Sequence, residues 1–378
     1  MKEDLTPEEA ETLRKAAAEL ALRDFDGTLA RLADPRASHL PGELRMLSSA
    51  SPEEVGRFVA FMAEVAPDQR RRMLQALVDF GETDFQSDFV PLMRALLDDT
   101  DPELRALAID GLWESRELSL GDRFGRMLRE DSVDAVRARA AQALGSFVEQ
   151  SELKVHLRER MAPTLAHLIE LAGDLREDPE VRRRALASAG YAEHPDLIGL
   201  IESALEDDAP EVRAGALRAM GNSADPRWAD EILAWLDEPE PELRFEAVRA
   251  SGELAIASAV NPLSIIARYE TDRLIRAEAI WALGEIGGAV ARRTLEAVGA
   301  ELAGVDEDLL EAVEDAISSC ALIEGDLSFA SWERPDDEDD AAEVDDDYDE
   351  LDDYMDLEDA DDEDLDDGAG SRRGRRGG

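Results

Sequence analysis

An aliphatic residue followed by Arg, with Ala three positions after the Arg, recurs six times between residues 104 and 279, most copies opening on an acid or Pro. The pattern stands at Leu104-Arg105 with Ala108, Val136-Arg137 with Ala140 and Val181-Arg182 with Ala185. It returns at Val212-Arg213 with Ala216, Leu243-Arg244 with Ala247 and Ile275-Arg276 with Ala279. Successive arginines lie 32, 45, 31, 31 and 32 residues apart. A period of that length holds one helix–turn–helix repeat, too small to bury its own apolar face, so repeats must stack and share a core. The expectation is an all-α chain, an α-α superhelix of about seven or eight helical hairpins. Such a fold offers surface before it offers chemistry.

Counting from each signature Arg defines the buried face of the second helix of a repeat. The aliphatic before it, the Ala three after it, and Ile109, Ala141, Leu186, Leu217, Val248 or Ile280 four after it fall on one helical stripe. Eight residues on stand Gly145, Gly190, Gly221, Gly252 and Gly284, with Trp113 in the first copy. Gly at that place is expected to end the helix and to let the next one come close. First helices are predicted over 85–97, 195–206 and 226–237. A weaker copy opens at Pro67-Asp68-Gln69-Arg70 with Met73 in the Ala position, and a last one runs from Asp306 to Ile317 with Leu310 in place of Arg. The 45-residue interval holds about 14 extra residues near Glu149 to Met161, enough for a lengthened or protruding helix.

These boundaries divide the chain into a helical N-terminal cap (1–66), the α-solenoid (67–324) and an acidic tail (325–378). In the cap, Thr6-Pro7-Glu8-Glu9 and Ser51-Pro52-Glu53-Glu54 place a hydroxyl before Pro and a Glu three residues on, which starts a helix. Residues 333–367 hold 23 acids against one Arg, and four Arg follow in 371–378. A segment so charged and so poor in apolar residues cannot fold alone, so a disordered tail is expected. Within it Val344, Tyr348, Leu351 and Met355 would share one helical face if a partner neutralised the acids, which makes them candidate partner-binding residues.

The total charge is −49, and the 332 residues before the acidic run still carry −31. A body of that sign repels phosphate backbones and disfavours nucleic acid as a partner. The single cysteine, Cys320, fits a reducing, cytoplasmic setting and reads as a small apolar residue on the inner face of the last helix. No run of 18 apolar residues is present, so no membrane partner is expected.

The cadence Asp178-Pro179-Glu180-Val181-Arg182, Ala185, Gly190, repeated over residues 67–324, resembles HEAT repeats, and among them the short bacterial subtype labelled phycobilisome-lyase-like. That resemblance implies that the second helices line the concave side of a curved superhelix. It also implies a ladder of turn acids and arginines, with Asp101, Asp178 and Asp272 pairing with Arg105, Arg182 and Arg276 or with the Arg of an adjacent repeat. Val133 and Ala209 leave that ladder without an acid.

Signs of chemistry are sparse. His39, His156, His167 and His194 are scattered, and none is followed by Glu in the manner of the diiron HEAT hydroxylases. Neither a phosphate-cradling Gly-rich loop nor a nucleophile elbow occurs. No catalytic residue, cofactor site or metal site is predicted, and the chain is read as not an enzyme. His194 before Pro195 suits a helix start, and Trp228, Trp235 and Trp281 suit packing between helices.

One charge pattern stands apart. The expected exposed side of the second helices carries Arg139, Arg183, Arg184, Arg218 and Arg249, interrupted by Asp110, Glu246 and Glu278. Two readings stay open: a solvated face of an Arg-rich chain, or a groove for an acidic segment such as the chain's own tail. The function expected is a non-catalytic scaffold or adaptor that docks another protein. One alternative is a chaperone or decoy for basic nucleic-acid-binding proteins, acting through the tail. The family label alone suggests a chromophore lyase.

Overall fold

A computed structural model describes residues 24–34, 41–84 and 86–323, and among these only helices, turns and bends form. The chain divides into Met1–Leu327 and Ser328–Gly378, and every helix below belongs to the first. The acidic tail, with Val344, Tyr348, Leu351 and Met355, lies outside the described residues, as do His39 and the Thr6-Pro7 start.

The order is α1 (Phe25–Leu32), α2 (Pro41–Leu44) with a 3-10 turn at Arg45–Leu47, α3 (Pro52–Glu64) and α4 (Pro67–Thr83). Seven hairpins follow. Their first helices are α5 (Val90–Leu96), α7 (Leu118–Glu130), α9 (Val155–Gly173), α11 (Leu197–Leu205), α13 (Ala229–Ala234), α15 (Val260–Tyr269) and α17 (Gly288–Leu302). Their second helices are α6 (Pro102–Asp110), α8 (Asp134–Leu153), α10 (Pro179–Ala189), α12 (Pro210–Asn222), α14 (Pro241–Glu253), α16 (Arg273–Ile286) and α18 (Glu307–Ile323). The second helices pack on one another in sequence from α4 to α18, while the first helices touch sparsely, with α3 against α5, α9 against α11 and α15 against α17. That asymmetry puts the second helices on the inner side of any bend in the stack.

The signature explains the packing. All six aliphatics before the Arg and all six alanines after it are buried, within one apolar cluster that runs from Phe25 to Cys320. Cys320 is sealed in it, its thiol directed at the carbonyls of Leu283 and Gly284. Ser51 starts α3 with a capping box, accepting the Glu54 N–H while Glu54 accepts the Ser51 N–H. The extra residues of the long repeat lengthen the second helix of one hairpin, α8, to 20 residues and the first helix of the next, α9, to 19, with extended Lys154 (φ −137°) between them.

Three expectations need correction. The first helices are shorter than predicted: α5 starts at Val90 because residues 86–89 are drawn off to the 48–49 loop, where Asp88 accepts the Ser49 N–H and Ser48 accepts that of Asp88. The repeated Gly does not end the helix as a rule, since Gly145, Gly221, Gly252 and Gly284 all lie inside helices. It serves the other purpose. A Cβ on Gly190 or Gly284 would stand 2.7 or 2.9 Å from the Cα of Ala219 or Ala316 in the next second helix.

The ladder exists, but in another register. Asp101, Asp178 and Asp272 cap their own helices by accepting the backbone N–H of Glu103, of Glu180 and Val181, and of Leu274 and Ile275. Asp101 is also held by Arg71 at 2.9 Å, not by Arg105. The rungs run from five of the six signature arginines to the turn of the following repeat: Arg105 to Asp131, Arg137 to Glu177, Arg182 to Asp207, Arg213 to Glu240 and Arg244 to Glu270. The sixth, Arg276, donates to the Ala267 carbonyl, and Arg273 takes the acid of the next turn, Asp306. Asp131 and Asp207 fill the places left open by Val133 and Ala209, two residues upstream, and accept the N–H of those two residues as well. Burial alone would push the Asp207 carboxyl up; the bonds from Arg182 and the Ala209 N–H hold it below its ordinary value.

Candidate functional site: an arginine-lined groove

On the second helices, the positions two, five and nine residues after the signature Arg share a face that the core does not claim. Arg184, Arg218 and Arg249 of the arginines singled out above meet there, with Arg183, one residue after its signature Arg, beside them. Arg183 and Arg184 on α10, Arg218 on α12 and Arg249 on α14 line one open cavity of about 510 Å³, and Arg116 joins them from the turn after α6. Against these five arginines the wall carries two acids, Glu149 and Glu246. Arg139 on α8 lines an adjoining cavity of about 410 Å³, whose wall includes Val78, Ile109 and Ala143. Trp113, Gln142 and Ser146 border both.

The acids that interrupt the stripe in sequence lie beneath it. Glu246 has a side chain only 3% exposed, yet Arg218, which it grips with both oxygens at 2.6 and 3.1 Å, is 25% exposed. Arg183 reaches the same carboxylate at 3.7 Å and Glu242 at 3.0 Å. Asp110 sits 3.4 Å from Arg139, and Glu278 3.4 Å from Arg249, whose guanidinium also lies over the Trp281 ring. Arg184 is held by Glu180 at 2.5 Å and by Gln142.

Burial pushes the carboxyls of Asp110 and Glu278 above their ordinary values, against the pull of the nearby arginines. It also pulls the Arg218 guanidinium down, but the hydrogen bond to Glu246 and its charge outweigh that, and the pKa is raised. Each guanidinium carries five N–H donors, and a carboxylate grips two at most, so Arg218, which spends two on Glu246, leaves donors for a second anion, while Arg183 also reaches Glu180 and Arg249 also reaches Glu253.

Trp113 occupies the place where the other repeats have Gly. Because α6 stops at Asp110, this position falls in a turn, and the indole is left 51% exposed between the two cavities. The other tryptophans behave as packing residues: Trp228 is buried, and Trp235 and Trp281 are half-buried against the core. His194 accepts the Asp196 N–H at the start of α11.

A sequence model of HEAT repeats matches residues 58–161, 165–238 and 229–316, well over half of the chain. This chain belongs to the HEAT-repeat family. No curated protein matches it. Solved structures similar to this HEAT chain include the E. coli protein YibA, at 19% identity over 76% of this chain and 98% of that one, with a TM-score of 0.39. Human deoxyhypusine hydroxylase is 19% identical over 71% and 96%, with a TM-score of 0.33. The complex of CpcE and CpcF of phycocyanin lyase from Nostoc is 18% identical over 76% and 97%, with a TM-score of 0.47. At these identities the likeness is one of fold alone.

The HEAT signature led to the arginines but not to their neighbours. Arg116 lies outside the pattern, and Trp113, at the Gly position of the pattern, was left exposed only because α6 stops early. Tyr191 and Asn222, which also line the larger cavity, each stand nine residues after a signature Arg. That shared offset was the signal that could have found them. Among the described residues no cluster of three or more His, Cys, Asp or Glu is placed to hold a metal ion, and no helix is long and apolar enough to cross a membrane.

Proposed function

We propose that this HEAT chain is a non-catalytic scaffold that holds another protein along the open face of its second helices. The observation that carries the reading is the arginine-lined groove across α8, α10, α12 and α14, in a body whose charge is otherwise strongly negative. A non-catalytic role is favoured by the residues themselves. The four histidines are dispersed, none is followed by Glu in the sequence, and the one thiol is walled into the core. Asp110, Glu246 and Glu278 are engaged by arginines and so are poorly placed to move protons.

Photo-crosslinking tests the reading. A crosslinking amino acid at Gln142, in the groove, should capture a discrete partner. The same group at Glu202, exposed on α11, should not, and Arg184→Glu should abolish the Gln142 product. Equal capture from both faces would count against a dedicated docking face.

A further inference from the structure

We infer that the groove takes a short acidic peptide segment in extended form, with an apolar residue of that segment resting on Trp113; this builds on the scaffold reading above. Charge comes first. Five arginines and two acids line the cavity wall, inside a chain region of charge −31. Glu180, Glu242, Glu253 and Glu278 pair with these arginines from outside the wall and bring the local charge near balance. An acidic segment is therefore repelled far less here than by the strongly negative region as a whole, and meets guanidinium donors, so the groove selects by place.

The arginines are also pre-set. Glu246 lies under Arg183 and Arg218, and Glu278 under Arg249, which fixes the guanidiniums before anything binds and lowers the ordering cost of binding. Glu246 and Glu278 are thereby withdrawn from an incoming cation by the arginines above them.

Length follows from the stack. Four packed helices about 10 Å apart span about 30 Å, which an extended chain covers with about nine residues at about 3.3 Å each. The apolar requirement comes from Trp113. Its indole is 51% exposed at the border of the arginine cavity and of the neighbouring space walled by Val78, Ile109 and Ala143. A leucine or phenylalanine side chain entering there would cover the indole and leave the acids over the arginines.

The test is fluorescence anisotropy with labelled peptides of about ten residues: Glu-rich ending in Leu, Glu-rich ending in Ser, and Lys-rich ending in Leu. Because residues 333–367 belong to the same chemical class, titrations use the full chain and a chain ending at Leu327. The shorter chain keeps the whole described core, Phe25 to Cys320. Binding of the Glu-Leu peptide is expected to weaken about tenfold with Arg116→Glu or Arg184→Glu and to fall steeply with salt. Both sites are exposed or partly so and leave the Arg218–Glu246 pair intact, so a folded variant is expected; unchanged helical circular dichroism checks that. Trp113→Ala should erase the preference for Leu over Ser.

Equal affinity for the Lys peptide, or no effect of either Arg variant in a folded protein, would overturn the inference. So would displacement by inorganic polyphosphate together with no Leu preference, which marks a general polyanion site. If no acidic peptide binds either chain while the Gln142 crosslink persists, the occupant chemistry is wrong and the scaffold reading stands.

Discussion

Arg105 grips Asp131 with both arms of its guanidinium, Nε to Oδ2 and Nη2 to Oδ1, at 2.8 Å each, and so fastens one repeat to the turn that starts the next. The carboxylate also accepts the Val133 N–H at 3.0 Å. Both side chains are largely buried, 14% and 8% exposed, so the pair is little screened. Asp131→Ala should cost about 1–3 kcal/mol, since it leaves a charged donor and a backbone N–H without their acceptor. Thermal unfolding followed by circular dichroism measures it, and a melting point equal to that of the parent would deny the rung a stabilising role.

Gly252 and Gly199 should respond to Ala with opposite signs. A Cβ on Gly252 would lie 2.7 Å from the Trp281 ring and 2.9 Å from the Ala282 Cα, so Gly252→Ala forces two second helices apart at about 1–3 kcal/mol. Gly199 sits in α11 with nothing within 4 Å, and Gly199→Ala should stabilise by up to about 1 kcal/mol through helix propensity. Denaturant melts of the two variants separate them.

Backbone strain recurs in step with the repeat. Eleven residues after their signature arginines, Ala224, Ala255 and Gly287 all have positive φ, at 50°, 46° and 68°. Gly287 adds a ψ of −163°, a region nearly closed to other residues, so Gly287→Ala should cost about 1–3 kcal/mol. At Ala255 the left-handed backbone costs about 1–2 kcal/mol. Ala255→Gly should therefore raise the melting temperature despite the freer unfolded chain. A lower melting temperature for Ala255→Gly would show that the strain is relieved elsewhere.

Two sets of carboxylates give stability a maximum in mildly acid solution. Hydrogen bonds from Arg45 and Ser87 hold Asp84 at about 2, and the hydrogen bonds of Arg273 and the Leu309 N–H hold Asp306 at about 2, both from an ordinary 3.8. Their contribution is full above the ordinary value and disappears as the pH falls towards 2. Burial raises Asp110 and Glu278, so their charged forms burden the fold at neutral pH and that burden lifts on acidification. The melting temperature should rise modestly from pH 7 towards about 5 and drop below about 4. Asp306→Asn should flatten the acid limb, and an unaltered limb would remove Asp306 as a cause.

The stacking was legible because every repeat must bury the same side chains, and Val212, Ala216 and Leu217 say so as plainly as Leu243, Ala247 and Val248. Which acid carries each rung was not. Asp131 and Val133 differ by two places in sequence, and only the folded turn brings Asp131 beneath Arg105 while Val133 opens the helix. The helical offset put Arg218 and Arg249 on one face, but that Arg116 would join them depended on α6 stopping at Asp110. No residue-by-residue pattern announces where a helix stops short. The depth of Glu246 below Arg218 was likewise hidden, since the helical offset alone places both on one exposed stripe.

Rungs that join a hairpin to its successor, over a core that never closes on itself, give the described stack the mechanics of a zip fastener. Tension along the stack would load every junction alike and open them one at a time, releasing chain in lengths of roughly thirty residues. Between such events it would stretch elastically and recoil.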